Sequence, residues 1–138
     1  EEHIVTLSSR AMEIIKQQAS RKRGSFVFAS AAARSGHVSA GAVADVLDRL
    51  GVQAEATTHG FRSTLRDWAG NETDAPREVA EAVLAHAVGS AVERAYRRQQ
   101  ALGKHRVLLQ QWSDYLDGSP AGKATQAEEG GNVVKLRA

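Results

Sequence analysis

The chain has 138 residues, a net charge of +2 and no cysteine; 42% of its residues are hydrophobic and 25% are charged. This length and composition are typical of one folded domain and exclude a disordered chain. Without cysteine, disulfides, zinc sites with thiolate ligands and a cysteine nucleophile are also excluded. No apolar run approaches the roughly 20 residues needed to cross a bilayer, and residues 1–3 lack the basic start of a secretory signal. We therefore predict a cytoplasmic protein that does not bind a membrane.

The first predicted elements are a strand and a helix. Residues 3–7 form a β-branched run, and Ser8 or Ser9 can cap the helix that follows. Because a strand lies so close to the first residue and there is no initiator Met, we expect the chain to be a piece of a longer protein. Phe26–Phe28 is too short for a helix and predicts buried extended chain, followed by a loop through Gly36.

The spacing of apolar residues predicts five more helices, separated by Gly and Pro. They run from Ser39 to Gly51, from Thr57 or Thr58 to Ala69, from Pro76 to His86, from Ser90 to Arg98, and from Lys104 to Leu116. Gly89 separates the third of these helices from the fourth. The predicted fold class is therefore mainly α, with one or two short strands. We divide the chain into a folded part, residues 1–117, and a flexible tail, residues 118–138. In the tail, the apolar segment Val133–Leu136 is a candidate to dock on a neighbouring protomer.

Lysine and arginine residues are clustered along the sequence. The clusters lie at residues 21–23, 62–66, 94–98 and 104–106. Each cluster alone is more typical of a solvated helix face than of a nucleic-acid contact. The small net charge is likewise weak support for a nucleic-acid partner.

His59 and Arg62 stand three residues apart in a predicted helix, so their side chains point to the same region of space. An arginine can donate two parallel hydrogen bonds to phosphate oxygens, and a histidine can transfer a proton near neutral pH. This pair is suited to phosphoryl transfer. Taken alone, however, each residue is more typical of an exposed helix surface.

His86 and Tyr96 follow further along the chain. His86 stands at a predicted helix end, and Tyr96 comes ten residues later, next to Arg97 and Arg98. A phenol ionises near pH 10, so a tyrosine that attacks at neutral pH needs a base or cationic neighbours. Tyr96 is therefore a candidate nucleophile, although alone it is more typical of a core aromatic residue packed against Val92.

The order His-x-x-Arg, His and Tyr resembles the C-terminal motifs of the tyrosine recombinases, the phage integrase family. The residues that carry it are His59, Arg62, His86 and Tyr96. The flanking stretches 58–64, 84–86 and 95–98 are similar to integrases of integrative elements and prophages, and the resemblance covers roughly residues 3–116. Thr6 departs from the pattern, since proline is common at its position in this subgroup.

The resemblance implies that residues 1–117 are the helical C-terminal part of a tyrosine recombinase catalytic domain. Tyr96 would attack the scissile phosphate of DNA and form a 3′-phosphotyrosyl intermediate. Arg62 and His86 would stabilise charge on that phosphate, and His59 would assist proton transfer. The implied chemistry uses no metal or cofactor. The implied partners are double-stranded DNA at attachment sites, further copies of the chain in a tetramer on DNA, and directionality factors.

Two other catalytic residues of the family, an arginine and a lysine on a β-hairpin, normally precede the position where this chain starts. Arg10, Lys16 and Lys22 come after the predicted strand, so we assign neither role to them. Loss of one cationic group from such a site typically costs orders of magnitude in rate. We therefore expect the chain by itself to be inactive.

Three other interpretations are open. A metal site is the first, but the five histidines include no i,i+4 pair and the chain has no thiolate to support it. A type IB topoisomerase would use the same tyrosyl chemistry without strand exchange. A non-catalytic DNA-binding or assembly module derived from an integrase would only contact phosphates through lysine and arginine.

Overall fold

The computed structural model describes residues 4–21, 24–31, 33–86 and 91–118, and in 91–101 it describes the backbone without the side chains. In these ranges the chain forms five α-helices. They are α1 (Ser9–Arg21), α2 (Ala42–Arg49), α3 (Thr58–Glu72), α4 (Arg77–Val83) and α5 (Ala91–Leu116). The described part contains no β-sheet, and one isolated antiparallel bridge pairs Ala29 with His37. The prediction of a mainly α fold is confirmed.

The strand predicted at residues 3–7 is wrong for the part that is described. Residues 4–8 lie outside any regular element, because a strand needs a partner strand for its backbone hydrogen bonds and the described chain supplies none there. Burial also contradicts the apolar pattern, since Thr6 and Ser8 are buried while Val5 is exposed.

The burial predicted for Phe26–Phe28 is also wrong. Both phenylalanines are about half exposed. Two backbone hydrogen bonds close the turn that follows, from the Val38 amide to the Phe28 carbonyl and from the Ser30 amide to the Gly36 carbonyl, each 3.1 Å long. This segment is therefore a short hairpin-like turn with an exposed aromatic surface.

The predicted limits of α2 are right at one end. The helix ends at Arg49 with Leu50 as its C-cap, and Gly51 comes next with a φ of 72°, a conformation that glycine adopts without strain. The Gly51 amide donates to the Asp48 carbonyl and the Val52 amide to the Leu47 carbonyl, so the last carbonyls of the helix are satisfied. The start is wrong, because the N-cap residue is Gly41, which makes no side-chain cap, rather than Ser39.

The two helices predicted between Ser90 and Leu116 are one helix, α5, of 26 residues. The break was expected between Arg98 and Lys104, where Gly103 stands. A glycine inside a helix costs only about 1 kcal/mol relative to alanine, and the preceding Gln99–Leu102 consists of good helix formers. Helix α4, in contrast, ends three residues before the predicted His86. The predicted break at Gly89 lies outside the described residues.

The chain divides into two compact units. The first unit consists of the described residues of 1–8 and 65–138, and the second unit of those of 9–64. Helix α3 begins in the second unit and ends in the first. The division into a folded part and a tail from residue 118 stays a prediction, because 119–138 lie outside the described residues.

The first unit has a core in which α4 packs against α5. Its cluster of buried residues consists of Trp68, Ala69, Val79, Ala80 and Leu108. Two further aromatic rings, Trp112 and Tyr115, stack on each other with centroids 5.7 Å apart and lie beside Trp68. Four apolar residues share one face of α3 at helical spacing. Of these, Leu65, Trp68 and Ala69 are buried, whereas Phe61 is exposed.

The second unit is packed differently. Leu47 is its one buried hydrophobic residue among those described. Its large hydrophobic side chains that stay exposed are Ile14, Phe26, Phe28, Val38, Val43, Val46, Leu50 and Phe61. None of the helices in the described ranges combines the length and the apolar character that a transmembrane segment needs.

Candidate functional site

The start of α3 holds His59 and Arg62. Thr57 caps this helix, since its Oγ1 accepts a hydrogen bond from the Gly60 amide at 2.9 Å. A Cβ at Gly60 would lie only 3.1 Å from that oxygen, so glycine gives the cap its room. After this cap, His59 and Arg62 lie one turn apart on the same face of the helix, and both are exposed. This face presents an imidazole and a guanidinium to solvent together.

The position of His86 is set by the chain reversal that ends α4. The Ala85 amide donates to the Ala82 carbonyl at 3.0 Å and the His86 amide to the Glu81 carbonyl at 2.9 Å. This pair of bonds is a Schellman motif, which requires a left-handed residue after the helix. Ala85 fills that place with φ of 58°, a conformation that costs an alanine about 1 kcal/mol. The reversal carries the His86 side chain back toward Glu81.

Glu81 is the centre of a cluster of charged side chains. Its Oε2 lies 2.6 Å from His86 Nδ1, and its Oε1 accepts a hydrogen bond from Arg66 Nε at 2.7 Å. Arg77 Nε lies 3.7 Å from Oε1, and this arginine is an exposed side chain one turn away on α4. The Glu81 side chain is only 10% exposed, whereas the His86 and Arg66 side chains are about half exposed. The carboxylate is thus enclosed by the groups that it holds.

The electrostatics of this cluster favour an ionised carboxylate. The hydrogen bond from His86, together with the one from Arg66, lowers the pKa of Glu81 from 4.5 to about 2, although burial acts in the opposite direction. The same contact raises the pKa of Arg66. Glu81 therefore carries its charge throughout the physiological range and acts only as a hydrogen-bond acceptor.

Tyr96 lies in α5, in the first unit. Its backbone is helical, and its side chain lies outside the described residues. The other tyrosine of the chain, Tyr115, lies in the same helix and packs with Trp68 and Trp112. The helix thus carries one tyrosine with an assigned packing role and one whose role stays a prediction.

Several curated proteins resemble the chain over most of its length. The integrase of Shigella phage Sf6 is 32% identical over 120 residues, which cover 83% of this chain and 30% of that protein. Prophage integrase IntS of Escherichia coli strain K12 gives the same values. Prophage integrase IntA of the same strain is 32% identical over 122 residues, 88% of this chain and 29% of that protein.

The chain is similar to these phage and prophage integrases over 83% or more of its length. It spans about 30% of the length of the curated relatives that it matches. No family model matches the chain. No solved structure matches it either.

The four predicted site residues are divided between the two units. His59 and Arg62 belong to the second unit, and His86 and Tyr96 to the first. The structure brings His59 and Arg62 together on one helical face and brings His86 to Glu81. Their assembly into one catalytic site stays a prediction.

Glu81 was missed by the sequence analysis. In a continuous helix, residues 81 and 86 would point about 140° apart, so a helix extended through His86 hides the contact. The contact between Glu81 and His86 follows from the Schellman geometry, which brings His86, two residues after the C-cap Leu84, back over the last turn of α4. An alanine in the left-handed position gave no hint of that helix end, because glycine is the usual residue there.

The described residues also bear on metal binding. They contain no group of three or more His, Asp or Glu side chains that could hold a metal ion. His86 and Glu81, two residue types that bind metals, are engaged with each other, and Glu81 also accepts a hydrogen bond from Arg66.

Proposed function

We propose that this chain is the C-terminal part of the catalytic domain of a tyrosine-type recombinase that integrates DNA site-specifically. The observation that carries the proposal is the similarity to proteins named integrases over 83% or more of the chain. The recombinase pattern lies in the chain, and its His59–Arg62 part lies on an exposed helical face that a DNA backbone can reach.

In the proposed reaction the Tyr96 hydroxyl oxygen attacks the phosphorus of the scissile phosphodiester. The bond from phosphorus to the 5′ oxygen breaks, a 3′-phosphotyrosyl bond forms, and the departing 5′ oxygen takes up a proton. A 5′-hydroxyl of a partner strand then attacks the phosphotyrosine, which restores a phosphodiester and releases the Tyr96 hydroxyl. The bond energy is conserved, so the cycle needs neither a metal nor a nucleotide cofactor.

Each of the other site residues has a role suited to its chemistry. Arg62 donates hydrogen bonds to the non-bridging phosphate oxygens, and His86 adds a second donor as charge develops there. His59 takes the proton from the attacking phenol or returns it. The partners are double-stranded DNA at attachment sites, other copies of the protein in a tetramer on that DNA, and directionality factors, all in the cytoplasm.

The two tyrosines of α5 provide a matched test. The complete protein that carries this chain is incubated with a nicked suicide duplex of its attachment site, and the covalent adduct is resolved on a denaturing gel. We expect adduct from the wild type and from Tyr115→Phe, and none from Tyr96→Phe, which should still bind the duplex.

Other outcomes would replace the proposal. Adduct from Tyr96→Phe would show that the nucleophile is another residue. Binding without adduct in the wild type would favour a DNA-binding or assembly module. Relaxation of supercoiled plasmid without a defined site would favour a type IB topoisomerase.

A further inference from the structure

The Glu81 carboxylate is held more specifically than in a simple surface ion pair. Each of its oxygens has its own partner, since Oε1 receives Arg66 Nε at 2.7 Å and Oε2 lies 2.6 Å from His86 Nδ1. The backbone carbonyl of the same residue accepts the His86 amide at 2.9 Å. Glu81 therefore holds both the backbone and the ring of His86.

This arrangement decides which ring nitrogen of His86 carries a proton. An ionised carboxylate can only accept, so Nδ1 must donate to Oε2. Nε2, the other ring nitrogen, is then left to meet a reactant. It accepts a proton in the neutral ring and donates one when the ring is charged. A carboxylate that fixes an imidazole through Nδ1 in this way sets both its tautomer and its orientation.

We propose that Glu81 is a positioning residue whose carboxylate keeps the Nδ1 of His86 protonated and aims Nε2 at the scissile phosphate. The inference rests on the proposed function, because it assigns His86 to that phosphate. Arg66 supports this arrangement, because its guanidinium donates a hydrogen bond to Oε1, the carboxylate oxygen that does not contact His86, and so fixes the Glu81 side chain. Glu81 itself touches no reacting atom.

The first measurement needs no catalysis. The ring nitrogens of His86 are followed by ¹⁵N NMR in the complete protein, labelled on histidine and assigned with a His86→Asn variant. We expect a proton on Nδ1 in the wild type at every pH at which the protein is folded and Glu81 is ionised. In Glu81→Gln the Nδ1 signal should shift toward that of an exposed histidine such as His59. A wild-type spectrum with Nδ1 unprotonated in the neutral ring would overturn the proposal, whatever the variant does.

The second measurement is the single-turnover rate of adduct formation. Glu81→Gln should lower this rate about 10- to 100-fold, the loss typical of residues that orient a functional histidine. DNA affinity should change less than twofold. Glu81→Asp, which keeps the charge, should recover part of the rate. The matched control is Glu78→Gln on the exposed side of the same helix, which should keep the wild-type rate and the wild-type His86 spectrum.

The two proposals fail separately. If the wild type forms no adduct while Nδ1 protonation depends on Glu81, the proposed function fails and the positioning of His86 stands. If adduct forms at the wild-type rate in Glu81→Gln, the recombinase assignment stands and Glu81 is not a positioning residue. A slower rate with an unchanged His86 spectrum would also overturn the inference, because the loss would then arise elsewhere.

Discussion

The two units of this chain carry their predicted site residues on different kinds of support. In the first unit, α4 and α5 pack on a shared core with Trp68 and Leu108, and His86 follows directly from α4. In the second unit, Leu47 is the one buried hydrophobic residue among those described, and most of the large hydrophobic side chains are exposed. His86 is thus placed by tertiary packing and an ion cluster, whereas His59 and Arg62 are placed by the cap and the repeat of one helix.

This difference shows two ways of fixing a functional side chain. A residue on a regular helix needs only its own helix, so its direction follows from spacing alone. A residue after a chain reversal needs the reversal, the core beneath it and a partner that orients its ring. Substitutions should therefore change the free energy of unfolding by different amounts in the two regions.

The largest effect is expected in the core of the first unit. Leu108 is 1% exposed, and Leu108→Ala should lower the free energy of unfolding by about 2–5 kcal/mol, because it removes buried methyl groups and leaves a cavity. Leu50→Ala is the control, since Leu50 is 67% exposed and should change stability by less than about 0.5 kcal/mol. Urea unfolding followed by circular dichroism measures both.

Leu47→Ala tests whether the units differ as described. It should lower the free energy of unfolding by less than Leu108→Ala does, because no other hydrophobic side chain described in the second unit is buried around Leu47. Equal costs for the two substitutions would contradict the comparison and would mean that the second unit has a core of similar strength.

A smaller effect is expected at the cap of α3. Thr57→Ala removes the acceptor for the Gly60 amide and should cost about 1 kcal/mol. Thr57→Ser keeps a hydroxyl and should cost much less. The free energy of unfolding in urea gives both values. If Thr57→Ala matched the wild type, the cap would not be what fixes the first turn under His59.

The features that the sequence predicts correctly follow the same division. The start of α3 at Thr57 or Thr58, the Gly51 stop and the His59–Arg62 face were predictable because each depends on residues within one turn. The buried positions of α3 were predictable from their apolar spacing, except for Phe61, which lies in the sparsely packed second unit. Local rules were sufficient wherever a helix alone decides the geometry.

The rest depended on interactions that spacing does not encode. Ala85 takes a left-handed conformation that alanine rarely adopts, so the helix end and the contact of Glu81 with His86 were not visible in the sequence. The continuity of α5 through Gly103 was missed for the opposite reason, because a glycine that usually favours a break is tolerated within a long helix.

The smallest expected effect is the acid response of the Glu81 cluster. The pKa of Glu81 is lowered to about 2 in the folded chain, so between about pH 4.5 and pH 2 the unfolded chain binds more protons than the folded one. The stability that this group contributes is therefore present above about pH 4.5 and is lost as the pH falls toward 2. The effect is small because the partners of Glu81 are half exposed and salt screens them.

Glu81→Gln has no carboxylate to titrate and should show a shallower loss of stability over this pH window. It should be less stable than the wild type at pH 7 and approach it near pH 2, whereas Glu78→Gln should follow the wild-type profile throughout. Urea unfolding at a series of pH values from 7 to 2 measures the three curves. Parallel curves for the wild type and Glu81→Gln would mean that the carboxylate is as free in the folded chain as in the unfolded one. The ion cluster would then not be what holds His86. The first and second units would differ only in how many of their hydrophobic residues are buried.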